Sequence, residues 1–146
     1  MPVERSGEPL VGDRRFAAPY EELRDAADAA DDPPRIYLAQ LGPPGAATAR
    51  ANFAKSLFEA GGVRAVTDGD FADSGARNAV LCSSDEVYEA EVATAAPALK
   101  EAGCEHLYLA GRPRDDYERA GVDAFVHARS DRLAVLRDLH ERLGLR

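Results

Sequence analysis

The sequence has no run approaching the ~20 uninterrupted apolar residues that a membrane span needs. Its opening, Met1-Pro-Val-Glu-Arg-Ser-Gly-Glu, has no apolar stretch of the kind that begins a secretion signal, so a cytoplasmic location is expected. Clustered cations are also missing. The net charge is −8 and the pI near 4.9, with only two lysines, Lys55 and Lys100, beside 16 arginines. Nucleic-acid binding, which needs grouped Lys and Arg to neutralise phosphates, is not expected. The excess of arginine over lysine, with many alanines, fits the codon bias of a GC-rich genome. Cysteine is scarce: Cys82 and Cys104 each fall in or beside an apolar run and read as two core thiols rather than a disulfide.

Motifs with chemistry are missing as well. There is no G-x-S-x-G elbow, no CxxC pair, no G-x-G-x-x-G and no P-loop. The histidines His106, His127 and His140 have no metal-ligand spacing, and each reads as an edge or surface imidazole. No catalytic residue and no metal ligand is expected.

What is present is one domain's worth of chain. The 146 residues, 45% apolar and 30% charged, suit a single globular core. Residues 1–19 are polar and broken by Gly7, Pro9, Gly12 and Pro19, and read as an extended arm that orders only on a partner. Residues 20–30 suit a short helix with Leu23, Ala26, Ala27 and Ala30 on one side, stopped by Asp31-Asp32-Pro33-Pro34. The arm and its helix make up residues 1–34, and the domain proper residues 35–146.

From Arg35 onward, strands and helices alternate. Strands are predicted at Arg35–Leu41, Val63–Val66, Asn78–Ser83, Glu105–Ala110 and Asp123–His127. Helices are predicted at Ala46–Ala60, Asp85–Ala102, Arg114–Ala120 and Asp131–Leu143, with a loop of at most one helical turn over Thr67–Arg77. In the long Asp85–Ala102 helix, Val87, Ala90, Val92 and Ala95 are among the apolar positions. Alternation of this kind implies a parallel sheet covered by helices on both faces: α/β, doubly wound and flavodoxin-like, with five strands in the order 2-1-3-4-5.

In such sheets ligands sit beyond the carboxyl ends of the strands, at the switch point between the first and third. Three segments converge there: Gly42-Pro43-Pro44-Gly45, Cys82-Ser83-Ser84-Asp85 and Ala110-Gly111-Arg112-Pro113. The first resembles a phosphate-cradling turn, but Pro43 and Pro44 remove two of the amides such a turn uses. Ser83, Ser84 and Asp85 suit either helix capping or ligand contact, and the two are compatible. A receiver domain of this topology would carry an Asp at the end of the third strand, where this chain has Cys82-Ser83, so that reading fails.

Together these segments resemble a known family. RIYLAQLGPPGAATARANFAKSLFEAGG (Arg35–Gly62), AVLCSSDEVYEAEV (Ala79–Val92) and HLYLAGRPRDDYERAGVDAFVHARSD (His106–Asp131) are similar to the C-terminal cobalamin-binding-type domain of methylmalonyl-CoA mutase. Within that family they resemble the small (beta) subunit of the bacterial heterodimeric enzyme. The likeness covers about residues 13–146 and is most specific over Ala110–Ala124. It implies a flavodoxin-like domain that, in a catalytic mutase, is paired with a TIM-type barrel binding the acyl-CoA. In cobalamin-binding members the loop after the first strand carries D-x-H-x-x-G. Its His is the lower cobalt ligand, its Asp hydrogen-bonds that His, and its Gly lets the nucleotide tail pass.

This chain departs from that pattern, with Pro44, Ala46 and Ala49 at the three positions. Alanine and proline offer no cobalt ligand and nothing to orient one. Gly42, Ser83, Ser84 and Gly111 match family positions around the tail groove and are the candidate, vestigial cofactor-binding residues. The resemblance thus implies a degenerate domain of a small subunit, separately encoded or a fragment. It would bind no cofactor itself and would support a large (alpha) subunit whose adenosylcobalamin interconverts methylmalonyl-CoA and succinyl-CoA. The alternative is a free-standing cobalamin-binding or carrier domain without a histidine ligand. Alanine-rich and proline-stiffened, the segment after the first strand is expected to be helical from Gly45 or Ala46 to Ala60 without ligand, filling the space of a cobalamin tail.

Overall fold

The computed structural model describes the backbone of residues 11–145 and the side chains of residues 18–145. In chain order the elements are α1 (Val11–Asp28), β1 (Arg35–Gln40), α2 (Thr48–Ala60), β2 (Arg64–Val66), α3 (Phe71–Ser74) and β3 (Asn78–Cys82). They continue with α4 (Asp85–Glu101), β4 (His106–Ala110), α5 (Asp115–Ala120), β5 (Ala124–Val126) and α6 (Arg132–Arg142). The five strands form one all-parallel sheet in the order β2-β1-β3-β4-β5, the flavodoxin-like order expected.

Every residue of β3 and β4 is buried, as befits central parallel strands covered on both faces. Alternate side chains feed two cores. Ile36, Leu38, Val80, Cys82, Tyr108 and Val126 face α1, α2 and α6, where Leu23, Leu57, Phe58, Leu136 and Leu139 meet them. Ala39, Ala79, Leu81, Leu107 and Leu109 face Phe71 of α3, Tyr88, Val92 and Ala96 of α4, and Tyr117 of α5. The inward stripe of α4 is therefore Tyr88-Val92-Ala96, spaced by four. Of the apolar positions expected for it only Val92 is buried, while Ala90 points outward. Four-residue spacing keeps one edge of the helix on the sheet, and Ala90 lies off that line.

The N-terminal region differs from expectation. The helix begins at Val11 rather than Tyr20 and runs through Pro19. Proline forfeits one backbone donor there. The turns beyond it are anchored by Leu23 and Ala27, both buried, by Arg24 donating to the Ala60 carbonyl at 3.1 Å, and by Tyr20 against the core. This helix is thus packed on α2 and α6. The expected arm, residues 1–19, otherwise lies outside the described residues apart from this backbone.

Two histidines are buried rather than the edge or surface imidazoles expected. His140 is fully buried on the inner side of α6, one turn beyond Leu136, and its Nε2 lies 2.8 Å from the Gly61 carbonyl oxygen. That hydrogen bond offsets part of the cost of burying the ring, whose Nδ1 has no partner among the described residues. His106 is buried at the start of β4 and packs edge-on against Tyr108, with ring centroids 4.8 Å apart. His127 is half-buried at the end of β5. Cys82 and Cys104 are free and buried, as expected of core thiols.

Candidate functional site

The loop leaving β1 turns sharply. Gly42 and Gly45 have φ of 82° and 94°, in the left-handed region that favours glycine. The amide of Ala46 donates to the Pro43 carbonyl at 3.1 Å and closes a turn between them. The left-handed Gly45 prevents helix from starting there, so α2 begins at Thr48, slightly later than expected. Ala47 precedes it without a side-chain cap. Gly42 is pressed against the first turn of α4: a Cβ on it would stand 2.8 Å from Cγ2 of Val87.

At the end of β3, Ser83 is fully buried. Its hydroxyl donates to the Leu41 carbonyl at 2.8 Å, its amide donates to the Tyr88 hydroxyl at 2.9 Å, and its carbonyl accepts from Arg50 at 3.0 Å. The same guanidinium reaches Asp85 at 2.8 Å and lies over the Tyr88 ring, 5.4 Å from its centroid. Ser84 caps α4, its hydroxyl accepting from the Val87 amide at 3.3 Å. These contacts bridge α2, β1, β3 and α4 across the switch point. Of the candidate residues, Gly42, Ser83 and Ser84 meet there and are occupied by contacts within the chain. Gly111, buried at the end of β4, stands apart.

Gly111 instead lines a cleft of about 830 Å³ at the carboxyl ends of β4 and β5, beside α2. Arg50, Phe53, Arg112, His127 and Arg129 share that lining. A Cβ on Gly111 would come within 3.2 Å of the Tyr88 ring and 3.5 Å of the Arg50 guanidinium, so a larger residue would crowd this wall. Sequence reasoning missed Arg50, Tyr88 and Arg129. Arg50 lies ten residues beyond β1 and Arg129 in the loop after β5, and only the closed sheet brings them together. The one available signal was position: Arg129 follows a strand at its carboxyl end, where ligand loops gather in this topology.

The electrostatics give no nucleophile here. Burial pushes the Cys82 thiol up to about 12, with Arg50 opposing only in part. Burial likewise raises the Tyr88 hydroxyl well above the usual phenol value. For Arg50, burial works against the charge, but the hydrogen bond to Asp85 together with the attraction of Tyr88 and Asp85 outweighs it, and the guanidinium is more basic than usual.

The residues do not fit cobalt ligation from the loop after β1. Position 46, which the resemblance aligns with the ligand, is alanine, and position 44 is proline. Among the described residues no group of three His, Cys, Asp or Glu side chains is placed to hold a metal ion, and no helix is long and apolar enough to cross a membrane.

No family model matches the chain. It is nevertheless similar to curated proteins. It is 42% identical, over 99% of its length, to the methylmalonyl-CoA mutase small subunit of Streptomyces virginiae, of which the alignment covers 26%. It is 34% identical over 98% of its length to a probable methylmalonyl-CoA mutase small subunit of Mycobacterium tuberculosis, again covering 26% of that protein. With the methylmalonyl-CoA mutase small subunit of Porphyromonas gingivalis the identity is 31% over 90% of this chain and 23% of the relative. The chain is thus homologous to a part of the methylmalonyl-CoA mutase small subunits, and spans about a quarter of the length of these relatives.

Proposed function

We propose that this chain is the cobalamin-binding-type domain of a mutase small subunit in a degenerate form. It acts in the cytoplasm as a structural partner of a large (alpha) subunit. That partner holds the adenosylcobalamin and carries out the interconversion of methylmalonyl-CoA and succinyl-CoA. The observation that carries the reading is the filled switch point. Where a cofactor-binding relative needs an open crevice and a ligand, this chain has Ser83 on Leu41, Arg50 on Asp85 and Val87 against Gly42, with Ala46 at the ligand position. The names of its relatives support the same reading.

On this reading the domain contributes surface and rigidity. It moves no proton and handles no radical, and its buried thiol and phenol stay protonated. The test is co-elution. This chain, mixed at micromolar concentration with the large subunit of the same organism, is expected to run with it on size exclusion. Separate elution would overturn the reading. Retention of cobalamin by this chain alone in equilibrium dialysis would favour the carrier alternative.

A further inference from the structure

We propose that Asp68 is a site of spontaneous covalent modification in the folded protein, closing on the Gly69 amide to a succinimide and reopening as an isoaspartyl link. The pair lies in the loop between β2 and α3, on the β2 side of the sheet. It is the one Asp-Gly or Asn-Gly step in the 146 residues.

The first observation is access. Asp68 and Gly69 are both exposed, and nothing lies within 4 Å of where a Cβ on Gly69 would stand. The second is that nothing holds the two reacting groups. Among the described residues the Gly69 amide has no acceptor, and the Asp68 carboxyl takes no hydrogen bond and no ion pair. Its neighbours are committed: Asp70 accepts from the Asp73 amide at 3.0 Å and caps α3, while Asp85, Asp116, Asp123 and Asp138 each meet a cation. The third is the glycine. Gly69 has a φ of 71°, in the left-handed region, so this turn favours glycine. The same choice removes the side chain that hinders amide attack at Asp70-Phe71 and Asp73-Ser74.

The chemistry needs only water. The Gly69 nitrogen attacks Cγ of Asp68, a C–N bond forms, and the carboxyl loses its hydroxyl, which leaves as water with the amide proton. Attack within one dipeptide is favoured by proximity. Water then adds to the main-chain carbonyl carbon of Asp68, and its bond to the Gly69 nitrogen breaks. The chain now runs through Cβ and Cγ, with a free α-carboxyl. One water is lost and one regained, and nothing is oxidised or reduced.

The fold gives this change a consequence. The Gly69 carbonyl accepts from the Tyr37 hydroxyl at 2.8 Å. The Tyr37 ring stands edge-on to Phe71, with centroids 6.0 Å apart, and Phe71 is the buried anchor of α3. An isoaspartyl link adds one carbon to the main chain directly before Gly69. It carries that carbonyl away from Tyr37 and loosens α3 from the edge of the sheet. None of this involves the switch point, so the proposal stands whether or not the chain pairs with a large subunit.

Prolonged incubation of the folded chain at neutral pH in water enriched with heavy oxygen tests it, followed by trypsin digestion in ordinary water. Trypsin cuts after Arg64 and Arg77 and releases residues 65–77, which hold Asp68, Asp70 and Asp73. This peptide is expected to give a second chromatographic form carrying one heavy oxygen, with electron-transfer fragmentation placing the altered link at residue 68. Asp68→Glu, whose ring closure is far slower, should lose that form while keeping its circular dichroism spectrum. Asp68→Asn should reach the same product faster, with loss of ammonia. The modified protein, separated by ion exchange, should have a lower urea midpoint than the parent. No heavy oxygen in this peptide, heavy oxygen at Asp70 or Asp73 instead, or the second form persisting in Asp68→Glu would overturn the site. An unchanged midpoint in the modified protein would overturn the link to Tyr37 and α3.

Discussion

The hydroxyl of Tyr88 lies 2.7 Å from the carbonyl oxygen of Ala110, and so ties the first turn of α4 to the end of β4. The Tyr88 hydroxyl oxygen also accepts from the Ser83 amide at 2.9 Å. One phenol thereby satisfies backbone groups at the ends of two neighbouring strands. Tyr88→Phe keeps the ring and leaves the buried Ser83 amide without its acceptor. The expected loss is about 1–3 kcal/mol of stability, read as a lower urea midpoint with an unchanged slope. A midpoint equal to that of the parent would show that water replaces the phenol there.

Gly42 and Val87 face each other across the switch point with no room for a side chain between them. Gly42→Ala must adopt a left-handed φ and displace the Val87 methyls, at an expected cost of about 1–3 kcal/mol. In a Val87→Ala background the steric part disappears and only the backbone part remains. A double-mutant cycle by chemical denaturation should therefore show positive coupling of at least ~0.5 kcal/mol. Strict additivity would mean that backbone strain alone sets the cost.

His106 makes stability depend on pH. Burial first, and Arg142 next, hold its pKa below the ordinary imidazole value of 6.5, against the pull of Asp123, whose carboxylate is 3.8 Å away. As pH falls below about 6.5 the unfolded chain takes up this proton before the native one does, so the unfolded state gains. Stability is then lost as pH drops from that value towards the lower native pKa. His106→Gln should flatten this part of the profile. Denaturation midpoints measured from about pH 7.5 to about pH 5.5 decide it, and identical slopes for parent and variant would clear His106 of the effect.

The two thiols should be silent in the native protein. Burial pushes Cys82 up to about 12 and Cys104 up to about 11, and both side chains are shielded. A thiol reagent at neutral pH should label neither until denaturant is added, after which both should react. Rapid labelling of one thiol under native conditions would reveal local opening around it, at the end of β3 for Cys82 or in the turn before β4 for Cys104.

Much of this protein was determined by local sequence. Each strand is a short apolar run closed by Gly, Pro or polar residues, and alternation with helical segments leaves few ways to build a sheet. The order β2-β1-β3-β4-β5 and nearly every element boundary follow from that. The sequence likewise displays that Pro44 and Ala46 carry no side-chain ligand atom at the positions the resemblance aligns with the family motif. Other features required the chain to be folded. Periodicity alone did not single out Tyr88 as the inward anchor of α4, because Val87 and Ala90 are apolar too. Contact with the ends of β3 and β4 selects it. His140 is polar by residue type and buried by position, because the Gly61 carbonyl, 79 residues away in sequence, receives its ring. Arg50 and Arg129 share a cleft although 79 residues also separate them, because parallel strands bring their carboxyl ends to one edge. Helices and strands arise from the order of neighbouring residues, which the sequence displays, whereas a site is made of residues distant in the chain, and only the closed sheet sets the distances between them.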